Sequence, residues 1–182
     1  MKKQLTIYYT SDVHGYFSPI DYASGNEIPS GLVNCISNFE KDGNTLIIDG
    51  GDILQGSPFT YYLYNKRKDD GLPAEIMNIG GYDFVTLGNH DFNYGKEELE
   101  KYISALDARC LCANIAGIRG VEKTAIVTLQ NGLRVGLAGV TTHYVKLWEK
   151  PENLAGIAVT DAFTAAKEAY DQLKAKADIT VC

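Results

Sequence analysis

Phe84-Val85-Thr86-Leu87-Gly88-Asn89-His90-Asp91 is a short strand-like run followed by a glycine, then an Asn and a His side by side. Such a run aims its terminal polar groups into a crevice, because ligands in open α/β sheets sit at the carboxyl ends of the strands. Two earlier stretches repeat the design. Leu5 to Thr10 delivers Ser11-Asp12-Val13-His14-Gly15, and Thr45 to Ile48 delivers Asp49-Gly50-Gly51-Asp52. Asp12 and His14, two apart on the continuation of one strand, are expected to point the same way and reach one cation. Glycines at 50 and 51 let backbone and ligand approach closely beside Asp52. Taken singly, these could be an Asx-turn with a surface His, an N-cap, and ordinary turn chemistry. Together, each after its own strand, Asp12, His14, Asp52, Asn89 and His90 are the ligand set of a metal site.

Outward from these turns, strand and helix patterns alternate. Phe17 to Pro29 is a polar surface loop beside the site. Gly31 to Lys41 has helical spacing of Leu32, Cys35, Ile36 and Phe39, with Ser30 as the expected N-cap. Ser57 caps a second helix to Arg67, with Pro58 at its first position. Leu72 to Ile79 and Lys96 to Leu106 are further helices, and Arg109 to Ala113 is a strand. Thr124 to Gln130 and Leu133 to Val140 flank Asn131-Gly132, a two-residue hairpin signal. Thr160 to Lys176 is expected to be an amphipathic helix burying Phe163, Ala166, Tyr170 and Leu173, before a strand at Asp178 to Val181. A strand after a helix is usually interior in an α/β protein, so the sequence is expected to be cut off at Cys182.

A chain of 182 residues with 45% hydrophobic and 22% charged residues is expected to form one ordinary globular domain. The net charge of -6 argues against a nucleic-acid polymer as partner, and an anionic substrate would need cations such as bound metal ions. Met1-Lys2-Lys3 is not followed by an apolar core of signal-peptide length, and no transmembrane stretch follows. The chain is therefore expected to be cytoplasmic, or extracytoplasmic if a signal has been removed, with no membrane partner. The four cysteines form no disulfide framework. They are expected to be buried free thiols, with Cys110 and Cys112 on one face of a strand. The twelve tyrosines are simplest as core and rim residues.

Asp12-Val13-His14, Gly50-Gly51-Asp52 and Gly88-Asn89-His90-Asp91 resemble the first three signatures of the calcineurin-like metallophosphoesterases, D-x-H, G-D and G-N-H-[ED]. The chain is more similar still to the 5′-nucleotidase branch, and within it to the 2′,3′-cyclic-nucleotide 2′-phosphodiesterase/3′-nucleotidase group. Gln55-Gly56-Ser57-Pro58, Met77-Asn78, Tyr82-Asp83, Phe92-Asn93-Tyr94-Gly95 and Trp148-Glu149-Lys150 carry that likeness. It implies a four-layer αββα sandwich, incomplete at the C-terminus, with residues 1–182 as the N-terminal part of one metallophosphoesterase domain. Nucleoside recognition would belong to a separate C-terminal domain.

The resemblance also implies roles. Asp12 and His14 would bind one divalent ion, Asp52 would bridge two, and Asn89 would bind the second. His90 would face the scissile phosphate and donate a proton to the leaving group. Water activated between two such ions would attack phosphorus in line. Asp, His and Asn ligands suit manganese, zinc, iron or cobalt better than calcium. Many 5′-nucleotidases carry an Asp three residues after the His. Here that position is Asn93, which can orient the imidazole without a carboxylate's charge and is the form associated with the cyclic phosphodiesterase group.

Of the three histidines only His143 is left once His14 and His90 are assigned. It is expected to be structural or at the surface. The downstream His and Gly-His-x-His ligands of the family are not in this sequence, so the chain is expected to complete one metal site at most and to be impaired alone. Its sheet edge could pair with a second copy. The substrate would be a nucleotide or other small phosphoester, with a 5′-nucleotide or other phosphomonoester as the alternative to a cyclic one. A non-catalytic metal- or phosphate-binding module is the alternative from another class. A serine hydrolase is disfavoured, since no Gly-x-Ser-x-Gly occurs.

Overall fold

A computed structural model describes residues 2–67 and 71–182, so Met1 of the basic start lies outside the described residues. In chain order the strands begin with β1 (Thr6–Thr10), β2 (Thr45–Asp49), β3 (Phe84–Val85), β4 (Arg109–Leu111) and β5 (Ile115–Ala116). They continue with β6 (Val121–Glu122), β7 (Thr124–Thr128), β8 (Arg134–Ala138), β9 (Ala158–Val159) and β10 (Ile179–Val181). The helices are α1 (Leu32–Ile36), α2 (Pro58–Tyr62), α3 (Leu72–Ile79), α4 (Lys96–Ala105), α5 (Val145–Trp148) and α6 (Ala162–Leu173). A π-helical turn, Leu63–Arg67, prolongs α2, and a 3-10 turn covers Asn89–Phe92.

β1-β2-β3-β4-β6 form one sheet whose neighbours are all parallel, with Thr10 opposite Asp49 and Asp49 opposite Val85. Parallel pairing puts the carboxyl ends of β1, β2 and β3 on one edge, so the turns that follow them share one rim. Alternation along the strands then divides the core in two. Ile47, Val85 and Cys110 point into a cluster with Leu32, Met77, Leu99 and Tyr102 from the helices. Their neighbours Leu46, Phe84 and Leu111 point the other way, against Ala125, Val135 and Leu137 of a second sheet ordered β10-β8-β7. Between Val135 and Leu137, Gly136 faces the opposite side, where Leu173 of α6 lies against it. β5 and β9 form a small antiparallel pair of their own.

Most expected elements are present, and four details differ. α1 is shorter than expected and Ser30 does not cap it; Gly31 is its N-cap. The first helical N–H groups, of Leu32 and Val33, instead donate to the Tyr16 and Phe17 carbonyls at 3.0 Å each. At the other end, Ser37 Oγ and Asn38 Nδ2 both donate to the Asn34 carbonyl, competing with the helical ladder.

The face of α6 is also different. Ala165, Ala169 and Leu173 are buried, whereas Phe163 is 81% exposed and Tyr170 is 51% exposed. Leu173, common to both faces, lies against Gly136, and the helix is turned so that Ala165 and Ala169 are covered in place of the aromatics.

The hairpin at Asn131-Gly132 forms, but not as a two-residue turn. Leu129 and Leu133 close it, Gly132 has φ 75°, and Asn131 is not left-handed. This is the three-residue loop with glycine in the left-handed position. Finally, Cys110 and Cys112 are buried free thiols on one face, as expected, while Cys35 and Cys182 are free but exposed. No described helix is long and apolar enough to cross a membrane.

Candidate metal centre

Past their last paired residues, β1 and β2 stay joined. Gly50 N donates to the Thr10 carbonyl at 2.8 Å, Asp12 N to Gly51 at 3.0 Å, and His14 N to Asp52 at 2.7 Å. Both turns are therefore tied to each other by backbone hydrogen bonds. Asp12 (φ 55°), His14 (φ 52°) and Asp52 (φ 59°) are the non-glycine residues in the left-handed region among the described residues. That conformation is costly for a residue with a Cβ, and it persists where surrounding structure imposes it. It also corrects the expectation that Asp12 and His14 continue a strand. They converge because the chain turns at both.

The same three residues form the described cluster able to hold a metal ion, with one ligand atom from each lying within 4.8 Å of the others. His14 Nε2 is 3.9 Å from Asp12 Oδ1. His14 Nδ1 lies 2.8 Å from the Gln55 carbonyl oxygen, which can only accept. Nδ1 must therefore carry the proton, leaving the Nε2 lone pair on the side of the carboxylates. A ring whose other nitrogen is fixed by a carbonyl is the usual arrangement of a metal-binding histidine. Two carboxylates and one neutral imidazole fit a divalent transition ion.

The turn after β3 is fitted against this cluster without a gap. A Cβ on Gly88 would stand 2.2 Å from Asp52 Oδ1, and one on Gly51 would stand 2.2 Å from Gly88 N. The glycine at 51 thus makes room for the neighbouring backbone, more than for a ligand as expected. His90 N donates to Asp52 Oδ1 at 2.6 Å. Asp91 is wholly enclosed behind them and accepts four backbone N–H groups. Its Oδ2 takes Asp52 (2.8 Å) and Gly88 (2.9 Å), and its Oδ1 takes Ile53 (2.9 Å) and Leu54 (3.1 Å). Burial, then the Asp52 charge, pushes the Asp91 carboxyl up to about 6 against the pull of those N–H groups. Asp49, at the end of β2, accepts from Thr10 Oγ1 at 2.5 Å and Gly51 N at 2.8 Å. Burial pushes its carboxyl up to about 7.

The His90 ring stands edge-on to His14, with centroids 5.2 Å apart. His90 Nδ1 is 2.9 Å from Asn93 Oδ1, and Asn93 Nδ2 donates to Glu149 Oε2.

A profile of the calcineurin-like phosphoesterase family matches residues 5–178. The chain belongs to that family. It is 32% identical to the trifunctional nucleotide phosphoesterase protein YfkN of Bacillus subtilis, over 97% of this chain and 14% of that protein. It is 27% identical to a 2′,3′-cyclic-nucleotide 2′-phosphodiesterase/3′-nucleotidase of Salmonella typhimurium, over 97% of this chain and 31% of the relative. The crystal structure of YfkN superposes with a TM-score of 0.79 at 31% identity, over 97% of this chain and 60% of that one. The chain thus spans less than a third of the length of these two curated relatives. Its parallel sheet and flanking helices are those of a phosphoesterase over that span.

Within this phosphoesterase chain the structure gathers Asp12, His14 and Asp52 and brings His90 beside them. Asn89 opens the 3-10 turn on the same rim, and Asn93 closes on the far side of the His90 ring. His143 is not in that cluster: its Nδ1 lies 3.4 Å from the Asp161 carboxylate and 3.4 Å from Ala162 N, at the start of α6. Reading the sequence missed Asp91 as the tie between two turns and Glu149 as the partner of Asn93. Both stand inside motif blocks already noticed, which was the available signal.

Proposed function

We propose that the protein containing this chain hydrolyses nucleotide phosphoesters, with 2′,3′-cyclic nucleotides as the preferred class and 5′-nucleotides or other phosphomonoesters as the alternative. The convergence of Asp12, His14 and Asp52 on one point, with His90 held beside it, carries this reading. Asp12 and His14 would hold one divalent ion, manganese, zinc, iron or cobalt, with Asp52 shared and Asn89 turned to a second. Bound ions of this kind neutralise phosphoryl charge and activate water. The chain's own residues do the rest. Asn89 would hydrogen-bond a phosphoryl oxygen, and His90 in its charged form would hold a proton on Nε2 for the departing alkoxide. Asn93, in the place of the Asp of many 5′-nucleotidases, tilts the substrate toward the cyclic class. The two facing sheets would be the front part of a four-layer αββα sandwich, and the described residues would complete one ion site. Self-association through a sheet edge belongs to the same proposal.

Hydrolysis of bis-p-nitrophenyl phosphate with added manganese tests it, on this chain and on the longest natural protein that contains it. Manganese-dependent turnover abolished by His90→Ala is expected. Manganese binding without turnover in either would leave a binding module instead.

A further inference from the structure

Asn93 has an amide whose two ends are chemically different, and what it offers His90 depends on what stands behind it. That group is Glu149, 56 residues along the chain, at the C-cap of α5. Its Oε2 accepts from Asn93 Nδ2. Its Oε1 accepts from Lys150 N at 2.6 Å and from Asn153 Nδ2 at 3.0 Å. Asn153 Nδ2 also donates to the Asn93 carbonyl at 3.0 Å, fixing the backbone of the same residue. Both oxygens of Glu149 are thus engaged as acceptors.

We propose that Glu149 is a positioning residue that sets the polarity of a three-member relay, Glu149 to Asn93 to His90. An ionised carboxylate can only accept, so it compels Asn93 to present its NH2 group outward and its carbonyl to the ring. The carbonyl in turn compels His90 Nδ1 to carry a proton. Nε2 is then the nitrogen turned to the cleft, with its lone pair in the neutral ring and its N–H in the charged one. A dyad of Asp and His gives the same polarity with two residues. Here an acceptor one side chain further out does so through an amide, and this deepens the phosphoesterase reading, on which its kinetic consequence rests.

An amide in place of the Glu149 carboxylate separates polarity from packing. Glu149→Gln has the same shape, but Lys150 N and Asn153 Nδ2 would claim its single carbonyl. Its NH2 would then face Asn93, whose amide would flip and offer NH2 to His90 Nδ1. The relay would be reversed. An additional Asn93→Asp restores it, because the carboxylate introduced there accepts both from His90 Nδ1 and from the amide NH2 introduced by Glu149→Gln. Asn93→Asp alone sets two carboxylates against each other.

Ring nitrogen chemical shifts of His90, measured by NMR on the metal-free chain at a pH where the ring is neutral, read the polarity directly. The native chain is expected to show the Nδ1–H form and Glu149→Gln the Nε2–H form, with Nδ1–H regained in Asn93→Asp/Glu149→Gln. In the protein showing turnover the donor is the charged ring, which has N–H on both nitrogens and needs an acceptor at Nδ1, so Glu149→Gln should lower kcat by roughly 10- to 100-fold with KM nearly unchanged. The double variant should recover most of it. An unchanged His90 tautomer in Glu149→Gln, or a kcat equal to native, would overturn the relay. Absence of turnover in the native protein would count against the phosphoesterase reading alone, since the ring shifts decide the relay without it.

Discussion

Asp12, His14 and Asp52 each combine a ligand atom with a left-handed backbone, and the two properties pull in opposite directions. A side chain in that region costs on the order of 1–3 kcal/mol, which glycine avoids. Asp12 is the best place to see this, because its carboxylate is mostly exposed and its close hydrogen bond comes from the neighbouring Ser11 Oγ. Asp12→Gly is expected to leave the melting temperature of the metal-free chain unchanged or raised. The same variant should lose the upward shift that manganese gives the native chain, since a ligand stabilises only the state that binds it. Thermal melts with and without manganese check both halves, and a large fall without metal would refute the strain argument. The candidate cluster Asp12, His14 and Asp52 was legible in the sequence because Asp, His and Asp are chemically conspicuous after short strands. Their left-handed backbone was not, since only glycine and asparagine advertise it. Glu149 was not legible as a partner of Asn93 either, because the two stand 56 positions apart in the chain and meet only on folding.

Elements carry the site as much as residues do. The turn after β3 sits on the turn after β2 with no space at Gly88, where a Cβ would be 2.2 Å from Asp52 Oδ1. Gly88→Ala is therefore expected to destabilise the fold by about 1–3 kcal/mol, the usual cost of overpacking. It should also weaken manganese binding by moving Asp52. Urea unfolding and metal titration would show the two effects together, and a stability loss with native metal affinity would mean Asp52 had not moved. Strand identity was plain from the apolar runs, because fully covered parallel strands have little alternative pattern. Helix faces were less plain. In α6 the periodicity favoured the aromatic side, but Ala165 and Ala169 are the side chains covered, and Leu173 fits either face. Likewise Asn131-Gly132 marked the hairpin but not its loop length, which the register of Thr128 opposite Arg134 decides.

For the molecule as a whole, two buried carboxylates make stability depend on pH. Asp49 is raised from 3.8 to about 7 and Asp91 from 3.8 to about 6, so the folded chain binds their protons more tightly than the unfolded chain does. Their contribution is complete below the unfolded value and is lost as pH rises through about 6 to 7. The metal-free chain should therefore melt at progressively lower temperature between about pH 4 and about pH 7, and level off above that. Asp49→Asn should flatten part of that slope, since an amide there can accept from Gly51 N and donate to Thr10 Oγ1. Equal slopes in the two proteins would rule Asp49 out as the source. The two-sheet arrangement itself was not readable from local pattern, because Leu46 and Ile47 look alike in sequence while facing different cores. The backbone rungs from Thr10–Gly50 to His14–Asp52 have one more consequence. They hold Asp12, His14 and Asp52 at a set spacing, so an ion arriving there would find the three donors already gathered. Capture should then be limited by shedding the ion's own water, not by gathering the chain, and ions of the wrong radius should be refused rather than accommodated.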